Sequence, residues 1–309
     1  MRIAFVFPGQ GAQSVGMLGG FAGNKTVEEV MARADAALGF SLSGLIASGP
    51  AEALALSVNT QPAMLASSVA FYEAWRAAGG AVPAVMAGHS LGEWSALTAA
   101  GAFSLEEAVK LVRFRAEAMQ AAVPVGVGGM TAIIGLSDEA VEEVCREVSA
   151  AGVVEPVNYN SPGQVVIAGE KAALAKAAEI AKARGCRRAI PLAVSGPFHS
   201  SMMKPAADKL AAKLAESPVA VPSIPVFANA DNAAHGTADE IRTALVRQLY
   251  SPVRWTQLIG KLKADGVTDI VECGPGRVLT GLLRRTAPEI AGHNIYDQAT
   301  LEGVLGKLQ

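Results

Sequence analysis

The chain has 309 residues, enough for one large α/β domain or for a large domain carrying a smaller insert. Its residues are 51% apolar and 17% charged, which excludes a disordered chain, and 26 basic residues against 28 acidic ones give no basis for a nucleic-acid or membrane-surface protein. Three cysteines lack metal-ligand spacing and no apolar stretch reaches membrane-span length, so the expectation is a cytoplasmic, non-membrane protein with no metal site.

Residues 2–7 read as a buried first strand, too short for a signal-peptide core, and Pro8-Gly9-Gln10-Gly11 breaks it into a loop. Thr26-Val-Glu-Glu29 reads as a capping box opening a helix that stops at Gly39. A second helix is expected from about Gln61 to Ala78, with Pro62 in its first turn. The apolar run Val82–Ala87 then enters Gly88-His89-Ser90-Leu91-Gly92, and the small-residue helical stretch Ser90–Ala100 leaves it. Strand, sharp turn and helix in that order are the context of a G-x-S-x-G elbow, in which the serine hydroxyl is presented for attack on a carbonyl.

Ser104-Leu-Glu-Glu107 is a further capping box, and its helix runs to Pro124. At 100° per residue, Leu105, Ala108, Val109, Val112, Ala116, Met119 and Val123 form one apolar stripe. Arg115 falls inside that stripe, between Met119 and Ala122. An inward-facing guanidinium cannot shed its charge, so it must snorkel out, pair with a buried acid, or hold an anionic substrate group. A serine nucleophile nearby favours the third.

From Gly126 to Val194 the pattern changes to short elements in the order βαββαβ, a ferredoxin-like module entered through the hinge Gly126-Val-Gly-Gly129. The flanking segments alternate strand and helix, which implies a mostly parallel sheet covered on both faces. The fold class is therefore α/β: a large α/β-hydrolase-like domain over residues 1–125 and 197–309, with a small domain inserted at 126–196. The last part reads as a strand at Thr268–Cys273, a helix at Gly274–Arg285 and a terminal helix.

A serine hydroxyl needs a base, and the chain has four histidines. His89 adjoins the elbow serine and reads as structural or pocket-lining, while His235 and His293 lie in polar contexts where exposure is expected. His199, in Ser195-Gly-Pro-Phe-His-Ser200 just after a strand end, is the remaining candidate. No acid between Ser90 and His199 follows a large-domain strand, so a Ser-His dyad is expected rather than a triad.

Phe7-Pro-Gly-Gln-Gly11, Gln61-Pro62, Gly88–Gly92, Arg115, Asn158–Gly163, Gly196–Ser200, Gln248-Leu-Tyr-Ser-Pro-Val253 and Glu272-Cys-Gly-Pro-Gly276 together resemble the malonyl-CoA:acyl-carrier-protein transacylases, over essentially the whole chain. The resemblance implies that Ser90 carries the acyl group and that His199 is the general base, oriented by the backbone carbonyl of Gln248. It further implies an oxyanion hole from the backbone N–H groups of Gln10 and Leu91, and a substrate carboxylate held by Arg115. Gln61, Phe198 and Asn160 would line the pocket, and Phe198 would disfavour a methylmalonyl group. Malonyl-CoA and an acyl carrier protein are the implied partners of a monomer, with CoA and phosphopantetheine thioesters as substrates and no further cofactor. A trans-acting malonyl transferase of a polyketide synthase or malonate decarboxylase system shares this chemistry, and a serine esterase or thioesterase would pass the acyl group to water.

Overall fold

The computed structural model describes residues 1–308. The described residues form nine strands, in chain order β1 (Ile3–Phe7), β2 (Val85–Gly88), β3 (Gly128–Ile134), β4 (Val154–Ser161), β5 (Gln164–Glu170), β6 (Arg188–Pro191), β7 (Val226–Phe227), β8 (Asp269–Cys273) and β9 (Ala291–Ile295). Five of them make one sheet in the order β7-β2-β1-β8-β9, with every neighbouring pair parallel. In β1, Ile-Ala-Phe-Val-Phe is buried at every position, as a strand covered on both faces must be. Phe5 packs on Tyr72 and Trp75 from one side, while Ala4 and Val6 belong to a separate core with Trp255, Leu258 and Ile270 on the other.

The other four strands form an antiparallel sheet, β4-β5-β3-β6, the ferredoxin-like strand order expected of a βαββαβ module. Helices Asp138–Val148 and Lys171–Ala183 pack through Val144, Val148 and Ala177 onto Ile133, Val165 and Ile167. Pro156 is tolerated because β4 is an edge strand. The free edge of β4 is tied to the rest of the chain, because the Tyr159 amide donates to the Val253 carbonyl (3.0 Å) and the Val253 amide to the Val157 carbonyl (2.8 Å).

Several boundaries differ from the sequence reading. The first helix, Lys25–Leu38, is capped by Asn24, whose side chain accepts from the Val27 amide, so Thr26 lies inside it and forms no capping box. The second long helix is Ser57–Ala77, which places Pro62 inside the helix rather than in its first turn. Its start carries no capping side chain; instead Asn59 and Thr60 bond the carbonyls of Ala53 and Leu54 in the preceding turn. Strand β9 has no counterpart in the reading, since Ala-Gly-His-Asn-Ile shows neither alternation nor an apolar run and is a strand only by pairing with β8. His293, expected in solvent, is carried on that strand with its side chain only 12% exposed and its Nε2 2.9 Å from Asp269 Oδ1. His235 is likewise half-buried rather than exposed, with Nε2 3.5 Å from Asp231 Oδ1. No single helix among the described residues is long and apolar enough to cross a membrane.

Candidate active site

Strand β2 ends at Gly88 and the helix Leu91–Ala99 begins three residues later, leaving Ser90 at φ 52°, ψ −107°. A side chain at φ > 0 is strained, and such strain persists only where the surroundings over-determine it. Here they do. A Cβ on Gly88 would lie 1.9 Å from the Gly92 carbonyl carbon, and one on Gly92 would lie 2.0 Å from the Phe7 carbonyl oxygen. The flanking glycines are therefore required by close approach of the turn to itself and to β1. Asn229 clamps the bend, its Oδ1 accepting from the Ser90 amide (2.7 Å) and its Nδ2 donating to the Gly88 carbonyl (2.6 Å).

His199, also at positive φ (65°), follows Gly196-Pro-Phe198 and is buried. Its Nδ1 lies 2.8 Å from the Gln248 carbonyl oxygen, which can only accept, so the ring proton sits on Nδ1 and Nε2 is left as a lone-pair acceptor. Ser90 Oγ donates to that Nε2 across 2.7 Å. Burial, reinforced by the positive charge of Arg115, pushes the imidazole pKa down to about 3, so His199 is neutral and able to accept a proton throughout the physiological range.

Arg115, on the helix Leu105–Ala122, is 1% exposed and forms no ion pair among the described residues, so it neither snorkels nor meets an acid. Its Nη1 donates to Gln61 Oε1 (2.8 Å), and its Nη2 donates to Gln248 Oε1 (2.9 Å) and more distantly to Ser90 Oγ (3.4 Å). Its Nε has no partner. Burial lowers its pKa to about 10, against the opposing pull of the Glu93 carboxylate, which leaves it cationic at neutral pH. A buried cation held by two neutral amides and a hydroxyl and facing a cavity is a site for a carboxylate, which can take two parallel hydrogen bonds from the guanidinium.

That cavity, of about 120 Å³, is lined by Gln10, Gln61, Ser90, Leu91, Arg115, Phe198 and His199. A larger space of about 260 Å³ adjoins it, sharing Gln10, His89, Asn158 and Leu192 and walled by Val278, Leu279 and Leu282. Asn160 lines this outer space, and its Oδ1 accepts from His89 Nε2 (2.8 Å). The His89 ring is thereby directed away from Ser90, as expected of a pocket-lining residue. Gln10 and Leu91 line the inner cavity, and their backbone amides have no acceptor among the described residues, which leaves both free for an oxyanion. Among the described residues no three His, Cys, Asp or Glu side chains cluster as metal ligands would.

The acyl transferase domain family matches residues 4–309. The chain belongs to the acyl transferase domain family. It is 51% identical to the malonyl CoA-acyl carrier protein transacylase of Salmonella typhimurium over 305 residues, which cover 98% of this chain and 99% of that relative. The fold superposes with a TM-score of 0.98 on the acyl-carrier-protein S-malonyltransferase of Burkholderia pseudomallei, at 54% identity and covering 99% of this chain and 100% of that one. An equal TM-score of 0.98, at 48% identity and covering 99% of this chain and 100% of the other, relates it to a malonyl-transacylase solved with its type II PKS acyl-carrier protein.

In this acyl transferase two residues around the site are not visible in the sequence reading. Glu93 reads as an ordinary first-turn acid on the elbow helix, yet it is 1% exposed, and Asn229 carries no motif at all. Glu93 Oε2 accepts from the Asn229 amide (2.9 Å) and from Gln248 Nε2 (2.7 Å), and burial pushes its carboxyl up to about 7 against these bonds. The available signal was composition: in Leu-Gly-Glu-Trp-Ser-Ala-Leu-Thr-Ala, Glu93 is the sole charge on a helix with no polar face to put it on.

Proposed function

We propose that the protein moves a malonyl group from malonyl-CoA to the phosphopantetheine thiol of an acyl carrier protein, through a malonyl ester on Ser90. In the first half-reaction Ser90 Oγ attacks the thioester carbonyl while its proton passes to His199 Nε2, already 2.7 Å away. The Gln10 and Leu91 amides receive the carbonyl oxygen as it becomes an oxyanion. Collapse breaks the C–S bond and His199 returns the proton to the departing CoA thiolate. The second half-reaction runs the same steps backwards with the carrier's thiol as nucleophile. Throughout, the Gln248 carbonyl holds Nδ1–H and stands where a triad would have an acid.

The observation that carries this reading is Arg115: fully buried, unpaired by any acid, and 3.4 Å from the hydroxyl that would bear the acyl group. A neutral-ester hydrolase has no use for it, because an uncompensated buried cation is costly. Phe198 lines the same cavity and is the group against which the extra methyl of a methylmalonyl unit would press. Similarity to a transacylase solved with a polyketide carrier keeps a polyketide acceptor as a second reading, with the same donor and the same serine. A cytoplasmic monomer that needs no further cofactor completes the proposal. Its test is intact-mass analysis of wild type and Ser90→Ala after mixing with malonyl-, methylmalonyl- and acetyl-CoA, followed by addition of holo carrier proteins of both kinds. A malonyl adduct confined to wild type and discharged by a carrier protein is expected; no adduct, or release only to water, would overturn the proposal.

A further inference from the structure

Gln248 serves the site twice: its backbone carbonyl holds His199, and its side-chain oxygen holds Arg115. Its amide nitrogen donates to the Ser90 carbonyl (3.0 Å) and to Glu93 Oε2 (2.7 Å). Both protons of the NH₂ group are thus accounted for, and so is the orientation of the amide. Turned over, it would set a donor against the Arg115 Nη2 donor and an oxygen against two acceptors. Glu93 is the closer of the two orienting groups. The same Oε2 accepts from the amide of Asn229, whose side chain clamps the elbow.

We propose that Glu93 is a positioning residue for carboxylate selection: its Oε2 fixes the Gln248 amide so that Oε1 faces Arg115, which keeps the guanidinium aimed at the acyl pocket. The inference rests on the malonyl-transfer reading of the site. Glu93 forms no ion pair among the described residues, and the Gln248 amide stands between it and Arg115. What it supplies to Gln248 is therefore an oxygen at a fixed place rather than a salt bridge. Burial that lifts its carboxyl toward neutral pH agrees with this, since an acceptor oxygen survives protonation of its partner and a full charge does not.

Two conservative variants separate the oxygen from the charge. Glu93→Gln keeps the chain length and an acceptor oxygen without the charge; Glu93→Asp keeps the charge and draws the oxygen back by one methylene. The measurement is KM and kcat for Ser90 acylation by malonyl-CoA and by acetyl-CoA, with wild type alongside. Glu93→Asp is expected to lower the malonyl-over-acetyl preference by about tenfold or more, chiefly through KM for malonyl-CoA, while Glu93→Gln stays within about threefold of wild type. Any other pattern overturns the proposal. The reverse ranking would make Glu93 a counter-charge to Arg115, and parallel losses on both substrates with the preference intact would make it purely structural. Retained preference in both variants would make it irrelevant to selection, and equal loss of preference in both would show that the oxygen's position is not what matters. Failure of wild type to form malonyl-serine would instead sink the functional reading on which this rests.

Discussion

Two strands of the parallel sheet end in a glycine-bearing turn that feeds a helix with a buried acid beside it, and only one of the two makes a site. Near the end of β8, Glu272 reaches the start of the helix Val278–Thr286, its oxygens accepting from the Leu279 and Thr280 amides (3.0 and 2.8 Å), from Thr280 Oγ1 (2.9 Å) and from Asn294 Nδ2 (3.0 Å). The acid meets the donors that a helix start leaves over, so the Leu279 and Thr280 amides are not free for an oxyanion. After β2 the acid is Glu93, inside the helix rather than before it, and it spends its oxygen on Asn229 and Gln248. The Leu91 amide is left without an acceptor and Ser90 is held out at positive φ. The sheet supplies the same scaffold twice; chemistry is possible where the donors are not consumed.

The comparison can be broken first at its strongest point. Ser90→Ala at the open turn should lower acylation by about 10⁴-fold or more, measured by single-turnover release of CoA, because it removes the attacking group. Glu272→Ala at the closed turn should leave that rate within about threefold of wild type while costing about 1–3 kcal/mol of stability, read from denaturant unfolding, since it strands buried donors. Loss of acylation in a folded Glu272→Ala enzyme would erase the distinction between the two turns.

A smaller effect sharpens the description of the open turn. Phe198→Ala should raise the methylmalonyl-to-malonyl ratio of acylation by about tenfold, the scale on which a pocket discriminates one methyl, measured by competition and mass spectrometry. The smallest expected change is with pH. His199 acts as a base when neutral, and its pKa is depressed from the ordinary histidine value of 6.5 to about 3, so protonation disables it only well below pH 5. The rate of Ser90 acylation should therefore vary by less than about threefold between pH 8 and pH 5, where an unperturbed histidine would lose about thirtyfold. A rate falling steeply below pH 6.5 would show a solvated base.

Features written in consecutive residues were legible before the structure. The elbow is strand, turn and helix within a few residues, the misplaced Arg115 is a break in helical phase, and the βαββαβ order is a run of alternating periods. The absence of an acid partner for His199 also followed, because no acid between Ser90 and His199 comes after a strand of the large domain. Features that depend on what lies across a sheet were not legible. Strand β9 has no strand pattern of its own and exists through its register with β8, and this is why His293 is paired with Asp269 instead of standing in solvent. Asn229 and the side chain of Gln248 come to Ser90 from 139 and 158 residues away in sequence, on a strand end and a helix end that carry no local sign of it. Helix starts are hard to read for a related reason: a cap is a single hydrogen bond, which Asn24 makes beside a motif that only resembles one, and the helix from Ser57 starts with no capping side chain at all.

The claim on which the rest depends is that the buried guanidinium beside the elbow serine selects an acyl group bearing its own carboxylate. It is tested most directly by offering equimolar malonyl-CoA and acetyl-CoA to wild type and to Arg115→Ala and weighing the acyl-serine formed. The account predicts malonyl-serine in large excess on wild type and a preference lowered by about 10²-fold or more in the variant, through loss of malonyl rather than acetyl loading. Equal labelling of wild type by both donors, or a preference that survives removal of Arg115, would contradict it.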